Sequence, residues 1–412
     1  ELRREDVGRS VCLLGWAHKV RDLGGVLFID LRDRTGMVQL VLDPNVLPGL
    51  DALRNECCLR IEGVVIERDG SLKNPQTPTG EVEVRVTAFE ILSTAKPLPF
   101  PVSDEAAMVS VNEELRVKHR YLDLRRPTML RRFALRAGLL RHLRAYLDAR
   151  GFLELETPIL TASTPEGARD YLVPYRPVPG QFYALPQSPQ QYKQLLMVGG
   201  LERYYQIARC FRDEDSRADR QPEFTQLDME MSFVDADDIM ALVEEMTITV
   251  VNGLIEEFGL DKEPIGPFVR MTHADALDRY GTEKPDLRFD LPIFSISDLV
   301  ERCGFAVFTS TLEDGGTVRG VRFPGAASLS RKEVGELEAF AREFGGKGLA
   351  SFSIVAGEEG TEIGGGLRAK GGISKFFTPD ELAGIAGRAG AQEGDLLLFV
   401  ADDYDRSCDI LS

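Results

Sequence analysis

At 412 residues the chain is too long for a single compact core, so two or three domains are expected. Hydrophobic residues at 43% and charged residues at 28% exclude the disordered and fibrous classes, and no apolar run approaches the roughly 18 residues that span a bilayer. A net charge of −17 excludes non-specific coating of nucleic acid but leaves room for a local basic surface.

Residues 1–104 alternate apolar and polar positions in short runs. Gly15-Trp16, Asp22-Leu23-Gly24-Gly25 and Asp33-Arg34-Thr35-Gly36 read as turns between them, which suggests a small β-barrel of the OB-fold type. Within it Leu27, Ile29 and Leu31 face one way, and Phe28 faces the other with Asp30 and Arg32. An aromatic among charges on a barrel surface is a platform for stacking an unpaired base. Arg21 and Gln39 are candidates to join it, with Glu83 as an acceptor for a base edge. Leu98-Pro99-Phe100-Pro101-Val102-Ser103 reads as a linker, because two prolines prevent regular pairing.

A basic helix is expected over residues 127–150, with Leu135, Leu139, Leu143 and Leu147 as its apolar stripe and Gly151 as its stop. Arg141, Arg144 and Arg150 suit the negative end of its dipole. Strands and turns follow to about residue 233, then a helix from Ala236 to Phe258. From residue 288 short helices and strands alternate, and the glycine-rich stretch from Gly357 to Gly372 reads as a mobile loop in a separate inserted domain.

The chemistry concentrates between Arg203 and Met231, where two strand-like ends enclose a charged loop. In the second strand Phe224, Gln226, Asp228 and Glu230 share one face, while Thr225, Leu227, Met229 and Met231 share the other. Such a face suits a pocket floor. Arg212, at the end of the first strand, is placed to grip a carboxylate and a phosphate oxygen bidentately.

This segment resembles motif 2 of class II aminoacyl-tRNA synthetases, in the form seen in bacterial aspartyl enzymes. The run Gly151-Phe-Leu-Glu-Leu-Glu-Thr157-Pro158 resembles motif 1, and residues 163–174 and 184–194 resemble the aspartate-binding loops. Residues 112–126 resemble the hinge region. The resemblance implies an α+β multidomain protein: an anticodon-binding OB-fold barrel (1–104), a class II antiparallel-sheet catalytic domain (105–287) and a GAD-like α+β insertion (288–412). It implies ATP-dependent activation of aspartate and its transfer to the 3′ end of tRNA(Asp), in a cytoplasmic homodimer built on motif 1. Glu166, Ser188, Gln190 and Asp228 would surround the aspartate ammonium, and Lys193 would meet its side-chain carboxylate. Arg212 would hold the carboxylate and α-phosphate as the catalytic residue, with Glu214, Arg217 and Gln221 near ATP. Arg21, Phe28, Gln39 and Glu83 would read the anticodon, and Leu23 resembles versions specific for tRNA(Asp). Mg²⁺ is implied with ATP, and no metal ligand is expected in this chain.

Motif 3, which carries a further ATP-binding arginine, has no good counterpart. Gly364-Gly365-Gly366-Leu367-Arg368 evokes it, but Ala-Lys-Gly-Gly follows in place of an apolar helix. Ser412 is therefore read as lying before the family's C-terminal part and Glu1 as lying several residues into its N-terminus, so a chain that binds tRNA without activating aspartate is expected. The alternatives are a non-catalytic tRNA-binding fragment or paralogue and a related asparaginyl or lysyl enzyme. Cys12, Cys57, Cys58, Cys210, Cys303 and Cys408 form no C-x-x-C pair, which argues against zinc or disulfides and for a reducing cytosol.

Overall fold

The computed structural model describes residues 2–75, 77–215, 217 and 219–412, so Glu1 lies outside the described residues. The chain forms two compact units, Glu1–Pro267 and Phe268–Ser412.

The first unit opens with β1 (Ser10–Leu23), β2 (Val26–Arg32), β3 (Met37–Leu42), β4 (Cys58–Glu67) and β5 (Val82–Ser93). They close into a barrel in the order β1-β2-β3-β5-β4, with β3 and β5 parallel. Closure depends on the length of β1, whose first half pairs with β4 and whose second half pairs with β2. Alternation then puts Ile29, Leu31, Leu40, Leu42, Leu59 and Ile61 inside, each almost wholly buried.

Gly24 and Gly25 form the expected turn, a two-residue hairpin with both residues at positive φ. Gly15-Trp16 is not a turn: both residues lie inside β1, paired with Leu59 and Cys58. A Cβ on Gly15 would stand 2.6 Å from the Arg32 carbonyl oxygen, so glycine serves close strand approach there.

Arg32 also departs from expectation. It shares the alternation of Phe28, yet it is 5% exposed and bound bidentately to Glu56 at 2.9 Å for each arm. Arg125 adds a third contact to Glu56 at 2.8 Å, and His18, the extra residue at a bulge in β1, meets Arg32 at 2.6 Å. Burial works against the Glu56 charge, but these hydrogen bonds and the Arg32 charge outweigh it and hold the carboxyl at about 2.

The proline-containing strap after β5 is anchored, with Phe100 and Val102 buried against Met108 and Leu122. Next come α1 (Glu113–Lys118), α2 (Arg120–Asp123) and α3 (Pro127–Asp148), then β6 (Leu153–Glu154), β7 (Leu172–Pro174) and β8 (Phe182–Ala184). The unit continues through α4 (Gln190–Val198), β9 (Arg203–Phe211), β10 (Glu223–Met231) and α5 (Ala236–Phe258). The sheet β10-β9-β6 has β9 and β10 antiparallel and β6 parallel to β9. Leu227, Met229 and Met231 turn backward against Tyr146, Leu147, Met246 and Val250 of α3 and α5, as the alternation requires.

The α3 stripe differs from the expected four-residue repeat. Leu139 is exposed, and the buried line runs through Gly138, Tyr146 and Leu147. A Cβ at Gly138 would meet the Phe258 ring at 2.7 Å, so the missing side chain lets α5 approach. Arg141, Arg144 and Arg150 pair with Glu257, Glu154 and Glu245 and do not simply face the helix dipole.

The second unit contains α6 (His273–Tyr280), β11 (Ile293–Ser295), α7 (Ala306–Glu313), β12 (Thr317–Phe323), α8 (Arg331–Glu343) and β13 (Ala350–Ala356). It ends with β14 (Thr361–Gly364), β15 (Leu367–Lys370), α9 (Pro379–Ala389), β16 (Leu396–Asp402) and α10 (Tyr404–Leu411). The sheet order is β11-β12-β16-β13-β15-β14. Leu397 and Phe399 of β16 enter one core and Leu396 and Leu398 the other, which explains the unbroken apolar run of this central strand. The glycine-rich stretch is not a structureless loop. It folds as the β14–β15 hairpin, with Gly364, Gly365 and Gly366 at positive φ in the turn.

Candidate functional site

The β9–β10 hairpin supplies the floor. Asp228 stands opposite Gln206 and Glu230 opposite Tyr204, so the polar front face is continuous across both strands. Gln206 is locked by Tyr204, whose hydroxyl donates at 2.7 Å, and by Thr157, which donates at 3.1 Å. Burial pushes the Tyr204 hydroxyl well above its ordinary value, with the negative charge of Asp228 adding to it. Burial likewise raises the Cys210 thiol to about 11, so this cysteine is a thiol donor to Gln226 (3.2 Å) and no nucleophile.

The walls come from α4 and two loops. Ser188 donates to Glu166 at 2.7 Å and accepts from the Gln190 backbone at 3.3 Å, so one hydroxyl joins the loop carboxylate to the start of α4. One turn later Lys193 projects from the same face as Gln190. Its ammonium meets Asp228 Oδ1 at 2.6 Å and Glu230 Oε2 at 3.3 Å, and Lys193 is only 8% exposed. Burial acts to lower the lysine's pKa, but the hydrogen bonds and charges of Asp228 and Glu230 outweigh it and hold it above the usual value.

Two atoms of this site are left unsatisfied. Asp228 Oδ2 and Arg212 Nε are both buried and have no hydrogen-bond partner among the described residues. Arg212 lies over the Phe224 ring, its guanidinium carbon 5.1 Å from the ring centre, while its backbone N–H donates to Pro222 at 2.9 Å. A buried acceptor and a buried donor on one floor match a ligand carrying an ammonium at one end and an anion at the other.

The structure thus brings together Glu166, Ser188, Gln190, Lys193 and Asp228, and it places Arg212 on the same hairpin. Glu214, Arg217 and Gln221 lie apart on the exposed connection between β9 and β10, where Glu214 pairs with Arg220 at 3.3 Å. Sequence reasoning missed Gln187, which is 1% exposed and clamps the neighbouring loop by accepting from Ala168 N–H at 3.1 Å and donating to Ala168 O at 2.8 Å. Its place before Ser188 gave no signal, because a glutamine buried for backbone pairing looks like any other in sequence. Glu230 was seen on the right face without its role as the second acceptor of Lys193.

On the barrel, Arg21 lies opposite Phe28, Asp30 opposite Gln39, and Gln39 opposite Glu83, so the four candidates share one outer face. Arg21 donates to Asp30 at 2.6 Å, and Gln39 donates to Glu83 at 2.8 Å. Arg68, unnoticed in the sequence, donates to Gln39 at 2.6 Å.

Among the described residues no group of three or more His, Cys, Asp or Glu side chains is placed to hold a metal ion, and no helix is long and apolar enough to cross a membrane.

Residues 11–92 match an OB-fold nucleic acid binding domain, and residues 112–382 match the class II tRNA synthetases (D, K and N). The chain is 52% identical over 405 residues to an aspartate–tRNA(Asp/Asn) ligase of Moorella thermoacetica, covering 98% of this chain and 64% of that protein. It is 49% identical over 411 residues to the ligase of the same name from Bacillus subtilis, covering 98% and 66%. The chain therefore spans slightly less than two thirds of the length of these relatives. Among solved structures, an asparaginyl-tRNA synthetase of Entamoeba histolytica in complex with asparaginyl-adenylate aligns with TM-score 0.57 at 23% identity, over 66% of this chain and 62% of that one. The Pyrococcus horikoshii asparaginyl-tRNA synthetase complexed with asparaginyl-adenylate aligns with TM-score 0.55 at 20% identity, over 99% and 93%. These two likenesses speak to the fold alone. With 52% identity to the Moorella protein across 98% of this chain and a family match over 112–382, the chain belongs to the class II tRNA synthetases of the D, K and N group.

Proposed function

We propose that this chain carries the aspartate-binding and anticodon-reading parts of an aspartate–tRNA ligase, which joins aspartate to ATP as aspartyl-adenylate and then esterifies it to tRNA(Asp). The observation that carries the reading is the pair of unsatisfied buried atoms, Asp228 Oδ2 and Arg212 Nε, beside a buried Lys193. Aspartate's carboxylate is already a nucleophile, so no general base is needed. Alignment with the α-phosphorus and positive charge on the developing phosphorane are needed instead. Asp228 and Glu166 complement the substrate ammonium, Lys193 favours an acidic side chain over an amide, and Arg212 binds the α-carboxylate and α-phosphate. Glu214, Arg217 and Gln221 are assigned to ATP.

Arg212 places positive charge on the phosphate, and the Mg²⁺ that accompanies ATP would add to it. Exposed Leu130, Phe133, Leu153, Ile159 and Leu160, on α3 and the segment after it, support a homodimer formed through motif 1. Six free cysteines support a reducing, cytoplasmic setting. Residues 288–412, the larger part of the second unit, are assigned to the GAD-like module, in a functional division of 1–104, 105–287 and 288–412.

The test is titration of the chain with non-hydrolysable aspartyl-, asparaginyl- and lysyl-adenylate analogues by calorimetry. Binding of the aspartyl analogue at least tenfold tighter than the others is expected, on the scale of one well-placed charged contact, roughly 1.4 kcal/mol per factor of ten. Equal affinity for all three would end the assignment.

A further inference from the structure

We propose that Arg68, through its hold on the Gln39 carboxamide, sets which hydrogen-bond pattern of an RNA base the barrel accepts; this rests on the anticodon-reading role proposed above. A carboxamide has two ends of nearly the same shape, one accepting and one donating, and its surroundings decide which end points where. Gln39 Oε1 receives Arg68 Nη2 at 2.6 Å and Arg21 Nη2 at 3.4 Å. Guanidinium groups donate and never accept. Gln39 Nε2 donates to Glu83 Oε2 at 2.8 Å, and a carboxylate offers acceptors only. Turned by half a rotation, the amide would set its NH₂ against two guanidinium groups and its oxygen against a carboxylate. One orientation is therefore enforced.

Of the two arginines, Arg68 carries the hold. Arg21 is drawn toward Asp30 at 2.6 Å, which leaves its contact with Gln39 long. Arg68 sits behind Gln39 with its side chain 14% exposed: it is ion-paired with Glu83, Nε lying 3.4 Å from Oε2 without a hydrogen bond, and its backbone N–H donates to Glu81 O at 2.9 Å. With both directions at Oε1 occupied, Gln39 retains one hydrogen-bonding group to offer on the face it shares with Phe28. That group is the second Nε2 N–H, which has no acceptor among the described residues. A base stacked on Phe28 therefore meets a donor. Uracil and guanine answer it with a carbonyl oxygen, whereas cytosine and adenine present an amino group at the corresponding edge. Arg68 is thus a positioning residue whose effect on RNA is read through Gln39.

The test uses the 412-residue chain, fluorescence anisotropy and tRNA(Asp) transcripts in which single anticodon bases are exchanged U to C or G to A. The wild type is expected to favour the keto base at one anticodon position by about tenfold, the scale of one good base-edge contact. R68M should bring that ratio close to one with an unchanged Tm, and R68K, which keeps one donor arm, should retain part of it. R68Q provides a second neutral variant should R68M fold poorly. In a Q39A background R68M should alter the ratio no further. If R68M weakens every transcript equally and leaves the ratio intact, or if its effect adds to that of Q39A, the positioning role is overturned. A wild type that binds tRNA(Asp) without any keto preference overturns the proposal together with the reading it rests on, so the two failures are told apart by the wild-type ratio.

Discussion

Lys193 Nζ and Asp228 Oδ1 stand 2.6 Å apart, joining the first turn of α4 to the centre of β10 in a pocket where Lys193 is 8% exposed. The pair does two things. It fixes the helix over the sheet, and it keeps a positive charge beside a carboxylate whose other oxygen is unsatisfied.

Replacing Lys193 with Met separates these roles. It strands Asp228 and Glu230 without a cation, which should lower stability by about 3 kcal/mol, the usual cost of breaking a buried pair from one side. K193M/D228N should regain most of that stability without regaining affinity for an aspartyl-adenylate analogue. Chemical denaturation and calorimetry on the same samples read both effects; recovery of binding in the double variant would contradict the role given to Lys193.

Arg212→Lys retains the charge but loses the planar fork and the stacking on Phe224. Analogue affinity should fall on the order of 10- to 100-fold while the melting temperature stays close to that of the wild type. An unchanged dissociation constant would show that a point charge suffices.

Phe28→Ala should weaken tRNA(Asp) binding by about 1–3 kcal/mol, the value of one stacked base, and leave adenylate-analogue binding unaltered. Loss of both activities together would refute the separation between barrel and pocket.

The Glu56 cluster predicts a pH dependence of stability. The folded state holds this carboxyl at about 2, below the ordinary value of 4.5. A depressed carboxyl contributes stability that is present above its unfolded pKa and is lost as pH falls through the folded one. The contribution, about 3 kcal/mol, should therefore be complete above roughly pH 5 and vanish between pH 4.5 and 2. Glu56→Gln should flatten that part of the profile; an acid limb identical to the wild type would exclude Glu56 as its source.

Local pattern carried much of this protein on its own. The two-residue period of β10 already separated Gln226, Asp228 and Glu230 from Leu227, Met229 and Met231, because a strand sends alternate side chains to opposite faces whatever surrounds it. The hairpin at Gly24-Gly25 and the helix from Ala236 to Phe258 were legible for the same reason: turn chemistry and helical periodicity act within a few residues. What the sequence could not reveal were relations between residues far apart in the chain. Gly15 reads as a turn until Arg32 of the neighbouring strand lies against it, and Arg32 reads as a surface charge until Glu56 and Arg125 cover it. Arg68 acquires a role only because β4 ends beside Gln39. Leu139, an apparent core residue, faces outward because Gly138 draws α5 onto the adjacent face. Residue types and their spacing determined which chemistry the chain carries. Only the tertiary structure decided which charges are paired, which amide is turned, and which two buried atoms of the pocket are left without a partner, because pairing and burial depend on distance in space.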